Sequence, residues 1–151
     1  MGQVAGGVTE TMTCDHDRID ALIGAFRATA SEDPRLRAAF EEICGALREH
    51  IDREETTLFP AFADHDGEEA AVCVDGMRRQ HVEILRLLKE VGDCLPGRRD
   101  ERLGREEDFI RALAEHNEAE EQSIYPWIDG VLGPEEARRL ARSGAAGAPS
   151  L

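Results

Sequence analysis

The chain has 151 residues, which suits one domain, and its 32 acidic and 18 basic residues give a formal net charge of −14. An acidic surface of this kind repels phosphate backbones, so nucleic acid is not an expected partner. No apolar run approaches the roughly 20 residues of a bilayer span, and Met1 to Thr13 lacks the basic start and apolar core of a secretion signal, so we expect a cytoplasmic protein without membrane association.

Helical periodicity dominates the chain, and prolines separate its periodic stretches. In chain order, the pattern predicts helices over 9–30 and 34–62, a third from after Asp66-Gly67 to about Leu95, a fourth over 101–131 and a short one over 135–142. Four long helices joined by short loops favour an all-α, up-down-up-down four-helix bundle with a short C-terminal helix. We expect one domain over 1–142 and a flexible small-residue tail over 143–151.

Each of the four long helices has a histidine within its apolar stripe. On the first helix, His16 stands between Met12 and Ile19 at steps of four and three residues. The second and fourth helices each add a glutamate one turn after the histidine. Burial of an unpaired imidazole or carboxylate costs several kcal/mol, so these side chains need a compensating partner. The six residues concerned are His16, His50, Glu54, His81, His116 and Glu120.

An internal repeat relates the second helix to the fourth. Residues 50–60 and 116–126 share the template H-x-x-x-E-E-x-x-[LI]-[FY]-P and lie 66 positions apart. At about 100° per residue, a histidine and a glutamate four residues apart project from the same face of a helix. The repeat therefore predicts a pseudo-twofold site, to which the first and third helices each contribute one more histidine.

This set of donors is typical of a pair of transition-metal ions, with bridging carboxylates and terminal imidazoles. Nitrogen and oxygen donors without thiolate favour iron first, then manganese or zinc. The six side chains leave at least one coordination position open for water, hydroxide or a diatomic molecule. Two competing helical metal patterns, Glu-x-x-His and H-E-x-x-H, are absent from the sequence.

Further residues lie near the predicted ligands without belonging to them. Asp20 follows the first histidine by four residues, and it either orients that imidazole or is exposed. The second glutamate of each repeat lies about 140° from its own histidine, so it contacts solvent or a neighbouring group. Tyr125 has the template position of Phe59 and lies nominally on the opposite face, which favours a packing role. The residues that we consider as supports of the site are Asp20, Glu55, Glu121 and Tyr125.

From about Thr9 to Val131, the chain resembles a hemerythrin-like domain of the HHE cation-binding class. The matching segments are Asp15-His16-Asp17, His50-x-x-x-Glu54-Glu55 with Leu58-Phe59-Pro60, His81, and His116-x-x-x-Glu120-Glu121 with Ile124-Tyr125-Pro126. The resemblance implies a left-twisted bundle around a non-haem di-iron centre with an oxo or hydroxo bridge. It also implies that Glu54 and Glu120 bridge the two ions, with the four histidines as terminal ligands.

The expected function is that of a small di-iron protein whose open site binds dioxygen, nitric oxide or peroxide, for sensing or detoxification. Leu85 stands where oxygen-carrying hemerythrins have a second histidine, and Glu120 follows its histidine by four residues where they have an aspartate after five. Both differences shift the expectation from oxygen carriage towards reactivity. The alternatives are an iron sensor or storage module without catalysis, a di-iron protein similar to those implicated in repair of iron–sulfur centres, and a bundle that needs no metal.

Overall fold

Four long helical segments pack as a bundle, and a short C-terminal helix packs beside α1 and α5 at one end. The computed structural model describes residues 7–95 and 97–146, within which there is no strand, so the predicted all-α fold is confirmed. The helices are α1 (Val8–Ala28), α2 (Leu36–Arg53), α3 (Phe59–Asp93), α4 (Arg99–Ala119), α5 (Tyr125–Leu132) and α6 (Pro134–Ala146). One π-helical turn (Glu54–Leu58) joins α2 to α3, and a second (Glu120–Ile124) joins α4 to α5.

The second and third long segments of the bundle meet at a glycine inside α3. Gly67 has φ 76° and ψ −146°, a conformation that side-chain-bearing residues rarely adopt, and it breaks the helical path there. The predicted boundary after Asp66 therefore lies at the break, although the helix resumes without an intervening loop. The third segment then runs to Asp93, two residues short of the predicted end at Leu95.

The described chain begins at a capped helix and ends within α6. Asp129 of α5 accepts hydrogen bonds from the backbone N–H groups of Val8 (2.7 Å) and Thr9 (3.1 Å), so it caps α1 from another helix. At the other end, α6 continues to Ala146, beyond the predicted end at Arg142. Residues 147–151 lie outside the described ranges, and the flexible tail stays a prediction.

The apolar core consists of two separate clusters. The larger cluster includes Leu47, Ile84 and Leu113, and the smaller one includes Leu58 and Ile124. On three of the long segments, the predicted metal-binding histidine lies where one cluster ends and the other begins, and on the second it lies one residue before the last member of the larger cluster, Ile51. The polar residues therefore form a layer between two apolar ones. Within the described residues, none of the helices has the length and apolar character that crossing a membrane requires.

A buried ion pair lies beside the larger cluster, away from this polar layer. Arg102 is fully buried, and its Nε donates to Glu106 Oε1 at 2.6 Å. The guanidinium also lies 5.2 Å from the centre of the Phe26 ring. Arg27, which is partly exposed, approaches the other oxygen of Glu106 at 3.6 Å. The pair is thus a structural element of the core rather than part of the histidine site.

Candidate metal centre

All six residues predicted as metal ligands meet in the polar layer, and each is at most 4% exposed. Their donor atoms form two groups that share both glutamates, and within each group the atoms lie within 4.8 Å of one another. One group is His16, His50, Glu54 and Glu120, and the other is Glu54, His81, His116 and Glu120. Two adjacent donor groups with common carboxylates are the arrangement of a binuclear metal site.

Each glutamate faces both pairs of histidines. Glu54 points Oε1 at His50 Nε2 (3.4 Å) and Oε2 at His81 Nε2 (3.1 Å). Glu120 Oε1 lies 3.0 Å from His116 Nε2 and 3.4 Å from His16 Nε2. Both carboxylates therefore lie between the two histidine pairs, where a bridging carboxylate would stand.

The two π-helical turns place these glutamates and the aromatic residues that follow them. Glu54 and Glu120 begin the turns, and their carbonyls accept the N–H groups of Phe59 and Tyr125, five residues later. A proline comes next in each repeat. Because proline has no N–H and its ring collides with the carbonyl four residues earlier, regular α-helical bonding cannot continue there, and the wider turn accommodates it.

The π-helical turn brings Tyr125 into the site. Nine residues at about 100° each would place it about 180° from His116, but the extra residue in the turn reduces that rotation. Tyr125 is fully buried, its hydroxyl donates to Glu54, and its Oη lies 3.2 Å from His16 Nε2 and 3.4 Å from His50 Nε2. The prediction that Tyr125 lies on the opposite face is therefore wrong, because it assumed uninterrupted α-helical phase. Tyr125 does pack within the smaller apolar cluster, and its hydroxyl also contacts the site.

Two carboxylates orient histidines on neighbouring helices. His16 Nδ1 donates to Glu121 Oε1 at 2.7 Å, and His81 Nδ1 donates to Glu55 Oε1 at 2.7 Å. Such bonds fix the ring and direct Nε2 towards the centre of the site. These contacts agree with the expectation that the second glutamate of each repeat hydrogen-bonds to a neighbouring group. Asp20, in contrast, makes no hydrogen bond to an imidazole within the described residues and lies exposed beside a groove that reaches His16.

Sequence reasoning missed the partners of the other two imidazoles. His50 Nδ1 donates to Asp15 Oδ2, and His116 Nδ1 donates to Gln80 Oε1, both at 2.7 Å. Each partner immediately precedes a site histidine on its own helix but faces a histidine on the adjacent helix. That shared position, one residue before a site histidine, is the signal that could have found them.

Burial and neighbouring charges shift the pKa values of the glutamates and histidines in this layer. Burial and the adjacent Glu54 carboxylate raise the pKa of Glu120 to about 8. Burial alone would raise the pKa of Glu54, but His50 and hydrogen bonds hold it well below its usual value. Burial by itself lowers the pKa of His50, but Glu54 and Asp15 outweigh it and raise that pKa to about 10. Burial lowers the pKa of His116 to about 4. Without cations, protons retained on Glu120 and His50 therefore reduce the repulsion between the buried carboxylates.

Several donor atoms lack the hydrogen bonds that buried polar atoms normally make. Such atoms cost free energy unless something else satisfies them. Within the described residues, the buried atoms of the two groups without a hydrogen-bond partner are Glu54 Oε2, Glu120 Oε1, Glu120 Oε2, His81 Nε2 and His116 Nε2. All are good ligands for a divalent or trivalent ion and converge on one layer, so the residues present fit a pair of metal ions.

The fold and the site define a helical-bundle protein whose buried cluster of histidine and glutamate is consistent with a binuclear cation site. Residues 7–128 match the model of the Hemerythrin HHE cation binding domain family. Because the match covers most of the chain, the protein belongs to this family, and the predicted resemblance is confirmed. No curated protein and no solved structure was found to match the chain.

Proposed function

We propose that the protein is a non-haem di-iron protein that binds dioxygen, nitric oxide or peroxide at an open coordination position, for sensing or detoxification. The observation that carries this proposal is the convergence of unsatisfied buried donors in two groups with shared carboxylates. The donor chemistry favours iron, with manganese or zinc as possible substitutes. The proposed terminal ligands are His16, His50, His81 and His116, and the proposed bridges are Glu54 and Glu120.

Iron, when bound, supplies two electrons per reduced pair and coordination positions for a small oxygen- or nitrogen-containing ligand. The chain's own residues hold the imidazoles in place. Glu121 and Asp15 orient one pair of rings, and Glu55 and Gln80 orient the other. Since each Nδ1 donates to its partner, the Nε2 lone pair of each neutral ring is directed at the metal positions.

The apolar layers on both sides of the site limit the access of water. Leu47 and Leu113 are buried on one side, and Leu58 and Ile124 are buried on the other. Two surface grooves nevertheless reach the imidazoles: one of about 490 Å³ between α1 and α4 has His16 in its lining, and one of about 200 Å³ between α3 and α4 is lined in part by His116. This combination suits a small ligand better than a bulky substrate.

Metal analysis and air exposure test the proposal. Anaerobic reconstitution with Fe²⁺ should give two iron ions per chain, and subsequent air should produce an oxo-to-iron charge-transfer band in the near-ultraviolet. A Glu54→Gln variant should lose metal loading, whereas Glu68→Gln, on an exposed position of α3, should keep it. A featureless spectrum at full loading would exclude the open site, and failure to bind metal would exclude the di-iron function.

An iron-dependent conformational switch is the second candidate, and the same unsatisfied buried donors favour it. A ligand at 100 times its Kd stabilises a folded protein by about 2.7 kcal/mol, so iron should raise the melting temperature. A switch requires more: the chelated protein must lose its cooperative fold at physiological temperature. Thermal melts with iron and with chelator distinguish the two, because a folded and only moderately destabilised apoprotein contradicts the switch.

A further inference from the structure

We propose that Tyr125 is a ligand of one of the two iron ions, the one held by His16 and His50, so that the two halves of the centre are chemically unequal. This inference rests on the proposed di-iron function. It concerns the position of the phenol oxygen among the donor atoms, which can be compared directly with the equivalent position in the first repeat.

The distances around the phenol oxygen match those between neighbouring ligands of one ion. Around a six-coordinate ion with bonds of about 2.1 Å, adjacent donor atoms stand about 3 Å apart. The Nε2 atoms of His16 and His50 are 3.1 Å apart, and Tyr125 Oη lies 3.2 Å from the former and 3.4 Å from the latter. The hydroxyl is also bonded to Glu54 Oε1, which belongs to the same donor group. The phenol oxygen therefore occupies the place of a neighbouring ligand.

When both imidazoles are neutral, hydrogen bonds alone cannot satisfy the two Nε2 atoms and the phenol oxygen. Metal binding requires neutral imidazoles, and the Nδ1 protons of His16 and His50 are already donated to Glu121 and Asp15. Both Nε2 lone pairs then face the phenol oxygen, whose single proton is directed at Glu54. One cation among these atoms satisfies all of them at once, whereas one phenol proton cannot.

The first repeat, residues 50–60, provides the comparison. Phe59 has the same template position as Tyr125 and also follows a π-helical turn directly. Its ring stacks on His81, with centroids 5.9 Å apart and planes 10° from parallel, and it offers no donor atom. The ion between His81 and His116 therefore lacks the corresponding ligand. The open position for an external ligand accordingly belongs to that half of the centre.

Phenol coordination needs no electron transfer. The O–H bond of Tyr125 breaks, the proton leaves to bulk water, and an oxygen lone pair forms the bond to the ferric ion. The charge of the bound ion makes this loss of a proton favourable, as it does for other acidic ligands. The ferric ion forms beforehand, when dioxygen from the air oxidises the Fe²⁺ supplied in the reconstitution, and no other reactant is needed.

The visible spectrum of the oxidised, iron-loaded protein tests the inference. Phenolate bound to ferric iron gives a charge-transfer band in the visible, and resonance Raman excitation within that band enhances the ring vibrations of the tyrosine. We expect both signals in the wild-type chain. Tyr125→Phe removes one oxygen atom and should abolish both signals, while iron content stays at two per chain and the near-ultraviolet bands persist. Phe59→Leu, at the equivalent position of the other repeat, should keep the visible band.

Iron content separates failure of this inference from failure of the proposed function. Two irons per wild-type chain without a visible phenolate band, or a band that survives in Tyr125→Phe, would overturn Tyr125 as a ligand and leave the di-iron function standing. Absence of iron from the wild-type chain would overturn both. The wild-type Raman spectrum decides the question even if the variant folds poorly.

Discussion

Removal of the Glu121 side chain tests how much the orientation of an imidazole contributes to metal affinity. Glu121 accepts the Nδ1 proton of His16 at 2.7 Å, and its side chain is 35% exposed. Loss of such a supporting hydrogen bond typically weakens metal binding about 10- to 100-fold, or about 1.4 to 2.7 kcal/mol. Because solvent screens a carboxylate that is a third exposed, we expect Glu121→Ala to lie near the tenfold end.

Chelator competition, with Fe²⁺ kept anaerobic, measures this affinity. Glu55→Ala removes the equivalent bond to His81 and should weaken binding by a similar factor. Glu107→Ala, on an exposed position of α4, removes the same charge without touching an imidazole and should leave affinity within about twofold, since exposed charges are screened. An unchanged affinity in Glu121→Ala would show that the orientation of the ring contributes little to binding, and an equal loss in Glu107→Ala would show that net charge rather than orientation governs it.

Two further predictions concern the stability of the bundle. Arg102→Met removes the short ion pair of the buried Glu106, which keeps only Arg27 at 3.6 Å, and should lower the free energy of unfolding by about 3 kcal/mol. Arg102→Met combined with Glu106→Leu should restore most of it. Urea denaturation checks both variants, and a single variant as stable as the wild type would contradict the assignment. Asp129→Ala removes the cap of α1 and should cost about 1 kcal/mol. Hydrogen exchange should accelerate at the first turn of α1, and unchanged exchange there would refute the capping role.

The sequence predicted the helices and the ligand residues best, because the face on which each of these residues lies follows from the periodicity of its own helix. Periodicity predicted α1 over 9–30, and the helix runs Val8–Ala28. One criterion, a polar residue within an apolar stripe, selected all six side chains that meet in the polar layer. It succeeds because burial of unpaired charge is so unfavourable that a polar residue at a core position indicates a partner.

Prediction failed where position depends on a change of helical phase or on a neighbouring helix. Tyr125 was assigned to the wrong face because a π-helical turn intervenes, and regular α-helical geometry does not anticipate one. Asp15 and Gln80 act across helix interfaces, so the periodicity of their own helices says nothing of the imidazoles that they face. Such contacts follow from how the helices are packed, which a single sequence specifies only indirectly.

The exchange of glutamates between the repeats has a consequence for assembly. The bundle can be divided into two helical hairpins, residues 8–58 and 68–124, and each supplies two histidines and one glutamate. Each donor group combines the three residues of one hairpin with the glutamate of the other. The orienting carboxylates of His16 and His81 also come from the opposite hairpin. Neither hairpin alone contains a complete donor group, so bound ions would connect the two hairpins, and we expect the hairpins to dock before, or together with, ion binding.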